Sequence, residues 1–393
     1  MVTNHHGVKE YLRILADNTA MDKLYLALFL RRIAYSLTAL FIPLFLYNNG
    51  FPIWSIFAFY SLEQAYYVLA MYPVAKAMAK TSVVKSFIAA FPLGFAYFYF
   101  LPSTTASTVA FILVPALNAA SMILSNIATH TIFMDDVDDQ KEGKEVSLFS
   151  SVGLVATLLS PALAGYVASV DFASLFLLAG FFLLSAAIPL LTTSLSRDVS
   201  ADDLWERMKP YLNFDNQTRS FAGYALSKTL DRVLWPIFLI VAFASIIEFG
   251  FIQTSAALIS LVVTYATGLR SDDGDNNTVL TYSNEFYTFT YVARLLSFTP
   301  VVAGLLEAVR RISYRALYVS WNTAMVRYAE GTDTYAFIVS REMIYKMSRV
   351  VFLPFFALAF YAGMPIRIGL LFGGAMTWFY ADFINQNKGF STD

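Results

Sequence analysis

Long apolar runs, each close to the length of a membrane span and separated by short polar stretches, dominate the chain. A spanning helix needs about 20 mostly apolar residues. The runs are continuous rather than alternating in short pieces, so they predict helices and not the strands of a membrane barrel. By this criterion the sequence predicts twelve spans, at 24–47, 53–75, 84–101, 107–131, 147–168, 172–195, 221–244, 249–267, 279–298, 301–326, 336–361 and 365–385.

The longest polar insert, residues 194–220, divides the twelve predicted spans into six and six. It contains VSADDLWERMKPYL, which predicts a short amphipathic helix lying at the cytoplasmic surface. The predicted organisation has five parts: a cytoplasmic tail (1–22), a six-helix bundle (23–195), a cytoplasmic linker (196–220), a second six-helix bundle (221–386) and a second cytoplasmic tail (387–393).

The two predicted bundles share a local pattern. FIPLFLY (41–47) ends the first span, and the similar LWPIFLI (234–240) ends the seventh. The predicted fold class is therefore an all-α membrane protein of twelve transmembrane helices in two pseudo-symmetric six-helix bundles. Repeats of this kind place a substrate site between the halves, near the middle of the membrane.

Composition supports the membrane assignment and narrows the chemistry. Hydrophobic residues make up 58% of the chain and charged residues 14%, whereas a soluble domain has about 25% charged residues. The net charge of −1 gives no general attraction for nucleic acid. With no cysteine and three scattered histidines, the sequence predicts neither a metal site nor a cofactor.

The distribution of Lys and Arg between the predicted loops indicates orientation, because cytoplasmic loops are enriched in these residues. With the N-terminus inside, nearly all loop Lys and Arg fall on the cytoplasmic side. Arg367 falls near a helix end on the other side. We therefore expect a multi-pass protein of the cell membrane with both termini in the cytoplasm.

The stretch LLEAVRRISYRALYVSW (305–321) places four charges within one predicted span. A charge at the bilayer centre costs about 2.5–3.5 kcal/mol on insertion scales, so such residues mark functional sites. Glu307, Arg311 and Arg315 share one helical face, and a rise of about 1.5 Å per residue puts Arg315 near the midplane. Arg310 lies off this face and is expected to reach the outer headgroups.

The same depth calculation finds other polar residues near the midplane. Asp231 and Glu63 are the predicted proton carriers, because a buried carboxyl group beside a mobile arginine can exchange a proton as access alternates. The predicted substrate-cavity residues are Arg31, Arg32, Tyr35, Asn118, Lys228, Arg232, Trp235, Arg315, Tyr318 and Asn322.

A structural role for these charges is the alternative at each position, since ion pairs can hold membrane helices together. Arg294, in the ninth span, is expected to be structural. The predicted pairs are Asp231 with Arg32 or Lys228, Glu63 with Arg31 or Arg315, and Glu307 with Arg311.

Beyond its six-plus-six layout, the chain carries two kinds of degenerate motif. KAMAKTSVVK (76–85) and GLRSDDGD (268–275) follow the second and eighth spans, and GLVATLLSPALAG (153–165) lies in the fifth. With these features the chain resembles the major facilitator superfamily. The loops stand where that family has a Gly-x-x-x-Asp-basic loop, although 76–85 lacks the Gly and the Asp. SPALAG stands where the family's antiporters have Gly-Pro-x-x-Gly-Gly.

The resemblance implies several properties. The fold would alternate access to a cavity lined mainly by spans one, four, seven and ten, and the protein would be a monomer. Asp272 and Arg341 would form a cytoplasmic gate. The antiporter-like packing motif would comprise Ser160, Pro161, Ala164 and Gly165.

Three functions remain open from the sequence. The first is a secondary transporter for the proton-coupled export of small amphipathic molecules. The second is uptake or exchange of an organic anion, possibly phosphorylated, since the cavity candidates hold five bases and two acids. The third is a non-transporting receptor or assembly subunit. The expected partners are a small-molecule substrate, protons and the lipid bilayer, with no nucleic acid. No enzyme motif is present, neither a phosphate-binding loop nor a hydrolase signature.

Overall fold

The structure is a computed structural model that describes residues 19–136, 158, 160–193, 199–243, 245–258, 276–329 and 332–381. All regular secondary structure in these ranges is helical. In the first half the α-helices are α1 (Thr19–Thr38), α2 (Phe41–Asn48), α3 (Ile53–Thr81), α4 (Val83–Phe100), α5 (Thr108–Asp136), α6 (Ser160–Val170), α7 (Phe172–Ser185) and α8 (Ala187–Leu191).

The second half follows a short linker helix, α9 (Leu204–Met208). Its α-helices are α10 (Asn216–Phe243), α11 (Ile246–Leu258), α12 (Asn276–Ala293), α13 (Pro300–Ala329), α14 (Thr334–Tyr361) and α15 (Ile366–Thr377). Short 3-10 helices occupy Leu101–Thr105, Lys209–Tyr211, Arg294–Leu296 and Trp378–Ala381.

Helix boundaries follow from local chemistry. Pro52 adopts an extended backbone and precedes α3, where a proline's missing N–H costs nothing. Ser82 is also extended; it ends α3 and accepts a hydrogen bond from the Lys85 backbone N–H at the start of α4. Asp171 separates α6 from α7 and caps α7 by accepting hydrogen bonds from the backbone of Ala173 and Ser174.

Most of the described residues within the predicted spans are helical, with short breaks such as residues 39–40 and 297–298. Five segments are long and apolar enough to cross a membrane, namely Lys23–Asn48, Val83–Thr105, Thr108–Ile132, Phe172–Leu191 and Thr334–Tyr361. The helices α3, α10 and α13 are equally long and carry more polar residues. Residues 137–157 and 259–275, which hold parts of the fifth and eighth predicted spans, lie outside the description.

The outward faces of the helices are apolar. Leu69, Phe181 and Leu358 are 77%, 60% and 69% exposed, respectively. Many large apolar side chains are exposed in this way, as expected for helices that contact lipid. The protein is therefore built as a multi-pass membrane protein, with polar side chains turned inward.

Helices from opposite sides of the linker pack together to enclose the interior. The most extensive helix pair joins α3 to α14. Along this pair the Tyr335 hydroxyl donates to the Ala75 carbonyl at 2.6 Å, and Phe57 stacks on Phe360 with ring centroids 5.3 Å apart. The linker is tied to α14 by an ion pair of 2.7 Å between Arg207 and Asp333.

Candidate functional site

A cavity of about 460 Å³ lies between the two halves, which is within the usual range for small-molecule sites. Most of its wall comes from α1, α3, α5, α10, α13 and α14. Nine of the ten predicted cavity residues line it, and so do the predicted proton carriers Glu63 and Asp231. Asn118 lies behind the wall, where it is buried and donates to the Glu63 carboxylate at 2.9 Å.

The wall of the first half is held by hydrogen bonds between α1 and α5. The Arg31 guanidinium donates to Ser125 Oγ at 2.9 Å and to Asn126 Oδ1 at 2.8 Å. On α3, Glu63 accepts hydrogen bonds from the side chains of Asn118 and Gln64. The predicted ion pairs of Glu63 with Arg31 or Arg315 do not form, because neutral amides satisfy its carboxylate and polar groups of α5 hold Arg31.

The second half contains a buried network of ion pairs. Arg294 lies in the 3-10 helix after α12, and its side chain has no exposed surface. It binds Asp231 of α10 and Glu307 of α13, each at 2.5 Å. Its guanidinium also lies 3.9 Å from the centre of the Trp235 ring. Arg294 therefore connects three helices, in agreement with the structural role expected for it.

Arg310 and Arg311 complete this network. Arg310 binds Glu307 at 2.7 Å and Asp231 at 3.0 Å, and Arg311 binds Glu307 at 2.9 Å. The expected Glu307–Arg311 pair is thus present. The expected pairs of Asp231 with Arg32 or Lys228 are wrong, and so is the expectation that Arg310 reaches the headgroups. Two carboxylates lie within reach of Arg310, so its charge is satisfied inside the protein.

Several other bases at the cavity have no salt bridge to a carboxylate of the described residues. Lys228 Nζ lies 3.5 Å from the centre of the Tyr314 ring, and Lys346 Nζ lies 4.1 Å from that of Tyr67. Arg349 donates to the Ala225 carbonyl at 3.1 Å. The bases that lack such a salt bridge are Arg31, Arg32, Lys228, Arg232, Arg315, Lys346 and Arg349.

Basic side chains outnumber acidic ones at the cavity by ten to four. The acids are Glu63, Asp231, Glu307 and Glu342. The bases are the seven just given together with Arg310, Arg311 and Arg341. The cavity wall is therefore strongly electropositive, and the aromatic residues along it, mainly tyrosines, supply hydroxyl groups and ring faces.

The sequence did not predict that α14 contributes to the cavity. Arg341, expected at a cytoplasmic gate, lines the cavity together with Tyr345 and Arg349. These three residues follow one another at four-residue intervals, so they share a helical face. That periodicity is the signal in the sequence, but the charges fall near the predicted start of a span, where charged residues are ordinary.

One solved structure relates this architecture to a known protein. The crystal structure of the human organic anion transporter MFSD10 (TETRAN) is similar to this chain with a TM-score of 0.68 and 12% sequence identity, over 93% of this chain and 99% of that one. The chain has the major facilitator fold. At this identity the likeness establishes the fold alone. No protein-family model and no curated protein matches the sequence.

In this major facilitator fold, the antiporter-like motif lies against the other half. Ser160, Pro161, Ala164 and Gly165 are buried. The Ala162 N–H donates to Thr254 Oγ1 of α11 at 3.0 Å. A Cβ atom added to Gly250 of α11 would lie 2.6 Å from the Pro161 carbonyl oxygen and 3.2 Å from the Gly165 Cα. The small residues therefore allow the backbones of α6 and α11 to touch.

Of the two residues predicted to form the gate, one lies within the described ranges. Asp272 lies outside the described residues. Arg341 lines the cavity and binds Glu342 at 3.2 Å. Glu342 also accepts a hydrogen bond of 3.1 Å from Tyr67 of α3. A buried polar contact thus joins the two halves of the major facilitator fold beside the cavity.

Proposed function

We propose that the chain is a secondary transporter that carries an organic anion by alternating access through the central cavity. Twelve spanning helices would form two six-helix bundles, 23–195 and 221–386, joined by the 196–220 linker. Both termini would lie in the cytoplasm of a monomeric protein of the cell membrane. The all-helical architecture, the cavity between the halves and the similarity to the MFSD10 structure support this proposal.

The electropositive wall carries the choice of an anion. An unpaired charge in the membrane interior is unfavourable by about 2.5–3.5 kcal/mol on insertion scales. Seven bases at the cavity lack a salt bridge within the described residues, whereas Glu63 is the one cavity carboxylate in that condition. An anionic ligand would offset this excess, while an amphipathic cation would add to it. The anion alternative is therefore favoured over export of amphipathic cations.

MFSD10 is described as an organic anion transporter, and the charge of the cavity here agrees with that class of cargo. A receptor or assembly subunit would have its interior charges mutually paired. In the described ranges Arg32, Arg232 and Arg315 line the cavity without such a partner, which supports transport over a purely structural role.

Transport of labelled probes into proteoliposomes tests this function. Naphthalene-2,6-disulfonate and 2-naphthyltrimethylammonium share a ring system and carry opposite charges. We expect saturable uptake of the disulfonate and none of the ammonium ion. Protein-free liposomes and the Arg367→Gln variant, which changes an exposed arginine, are the controls. Uptake of the cation in preference to the anion would contradict the proposal.

Proton coupling is the second part of the proposal, and Glu63 is its better-placed carrier. Asp231 already binds two arginines, so a proton could reach it only by breaking salt bridges. Glu63 has amide partners and no salt bridge to another described residue. A proton at Glu63 would therefore disturb fewer ionic contacts.

We expect Glu63→Gln to abolish the stimulation of anion uptake by an imposed pH gradient and to leave anion exchange at equal pH within about threefold of wild type, because the amide keeps one acceptor oxygen and a rotated Asn118 amide can accept from its NH2 group. Uptake with and without the gradient measures this effect. Glu285→Gln, on the exposed side of α12, is the matched control. Full stimulation in Glu63→Gln would exclude Glu63 as the proton carrier.

A further inference from the structure

We propose that the anion bound in the cavity carries at least two negative charges and is held by bases of both halves. This inference rests on the proposed function and narrows its substrate to dianions. The observation that carries it is that the bases without a salt bridge in the described ranges line one cavity from helices of both halves.

The first step concerns the charge left after internal pairing. Asp231 and Glu307 are satisfied by Arg294, Arg310 and Arg311. Arg341 binds Glu342. The seven bases without a salt bridge in the described ranges then face the single carboxylate of Glu63. A monoanion would offset a small part of this excess, and a second negative charge would offset more of it.

The second step concerns where these bases lie. Arg31 and Arg32 belong to α1 of the first half. Lys228 and Arg232 belong to α10 and Arg315 to α13, both in the second half. All five line the same cavity. Because Arg32 and Arg315 line one cavity from different halves, their like charges repel each other across the space between the halves.

The third step follows from this repulsion. With the cavity empty, two positive walls oppose the approach of the halves. A ligand with one negative charge is attracted weakly to the bases of each half. A dianion can place one negative charge against the bases of each half. Tyrosines of both walls, among them Tyr35 and Tyr318, can donate hydrogen bonds to the same ligand. The geometry therefore favours dianions over monoanions of the same size.

Binding of a matched pair of ligands tests the inference. Naphthalene-2,6-disulfonate and naphthalene-2-sulfonate share one ring system and differ in one charge, and sulfonates remain ionised over the working pH range. Isothermal titration of the purified full chain in detergent measures both affinities at one ionic strength. We expect the disulfonate to bind at least about tenfold more tightly, in keeping with a charge-assisted contact.

Variants on the two walls assign this preference. Arg32→Gln and Arg315→Gln should each reduce it to about threefold or less, since a charge-assisted contact is lost. Arg32→Lys and Arg315→Lys keep the charge and should retain most of it. Arg367→Gln should leave it unchanged. Melting temperatures measured in parallel verify that each variant is folded.

The outcomes separate the inference from the proposed function. Equal affinity for the two sulfonates overturns the dianion inference and leaves an anion transporter. A preference that survives both Gln variants also overturns it, since the walls would not be its source. Failure of both sulfonates to bind overturns the inference, and binding of the naphthyl ammonium ion in their place overturns the proposed function as well.

Discussion

Replacing Arg294 by glutamine is expected to destabilise the protein by about 3–5 kcal/mol, the usual effect of removing one partner from a buried ion pair. Arg294 has no exposed surface and binds two carboxylates on different helices. Its loss leaves Asp231 and Glu307 dependent on Arg310 and Arg311, and it removes the contact with the Trp235 ring.

Thermal unfolding in detergent measures this effect, and a decrease in melting temperature of roughly 4–6 °C is expected from such a free-energy change. Arg367→Gln is the matched control, because it makes the same substitution at an exposed arginine. Adding Glu307→Gln to Arg294→Gln should destabilise the protein further, since Arg310 and Arg311 then lose the carboxylate that they share. Equal melting temperatures for Arg294→Gln and the control would show that the network contributes little.

Gly250→Ala is expected to open the interface between α6 and α11. The new methyl group would lie 2.6 Å from the Pro161 carbonyl oxygen, and overpacking of this kind costs about 1–3 kcal/mol. This free-energy cost applies only to a conformation in which α6 and α11 are in contact. A conformation in which the two helices are apart avoids it. The population should therefore shift towards the separated state by about 5- to 150-fold.

Labelling of a single introduced cysteine reports this shift without background, because the chain contains no cysteine. The labelling site is Tyr318→Cys, in the cavity. A membrane-impermeant maleimide is added on the side of the membrane at which α6 and α11 are in contact. It should react faster with this cysteine when Gly250 is replaced by alanine. Gly304→Ala is the control, since its methyl group would lie at an ordinary 3.8 Å from Ile252. Similar labelling rates in the two variants would contradict the proposed contact.

The helical architecture could be predicted from the sequence because hydropathy is a local property. Runs of about 20 apolar residues satisfy their backbone hydrogen bonds in a membrane by forming helices. The cavity positions of several bases could also be predicted locally, since a polar residue in an apolar helix turns away from lipid. These bases are Arg31, Arg32, Lys228, Arg232 and Arg315. Excess positive charge at the site was visible on the same grounds.

Ion pairing could not be predicted in the same way. Whether Asp231 meets Arg32, Lys228 or Arg294 depends on which helices are neighbours and at what height their side chains lie. Arg310 shows this most clearly: its position along α13 suggested the headgroups, but α10 brings Asp231 to within 3.0 Å of it.

The sequence by itself determined the helices, the polar linker and the basic character of the interior, because each depends on residue type and spacing along one segment. The tertiary structure alone decided which of the interior charges neutralise one another and which have no salt bridge within the described ranges. Coulomb energies depend on distances between helices that are far apart in sequence. Arg294 therefore lies at the centre of a structural network. Arg315 lines the cavity and has no salt bridge to a described residue.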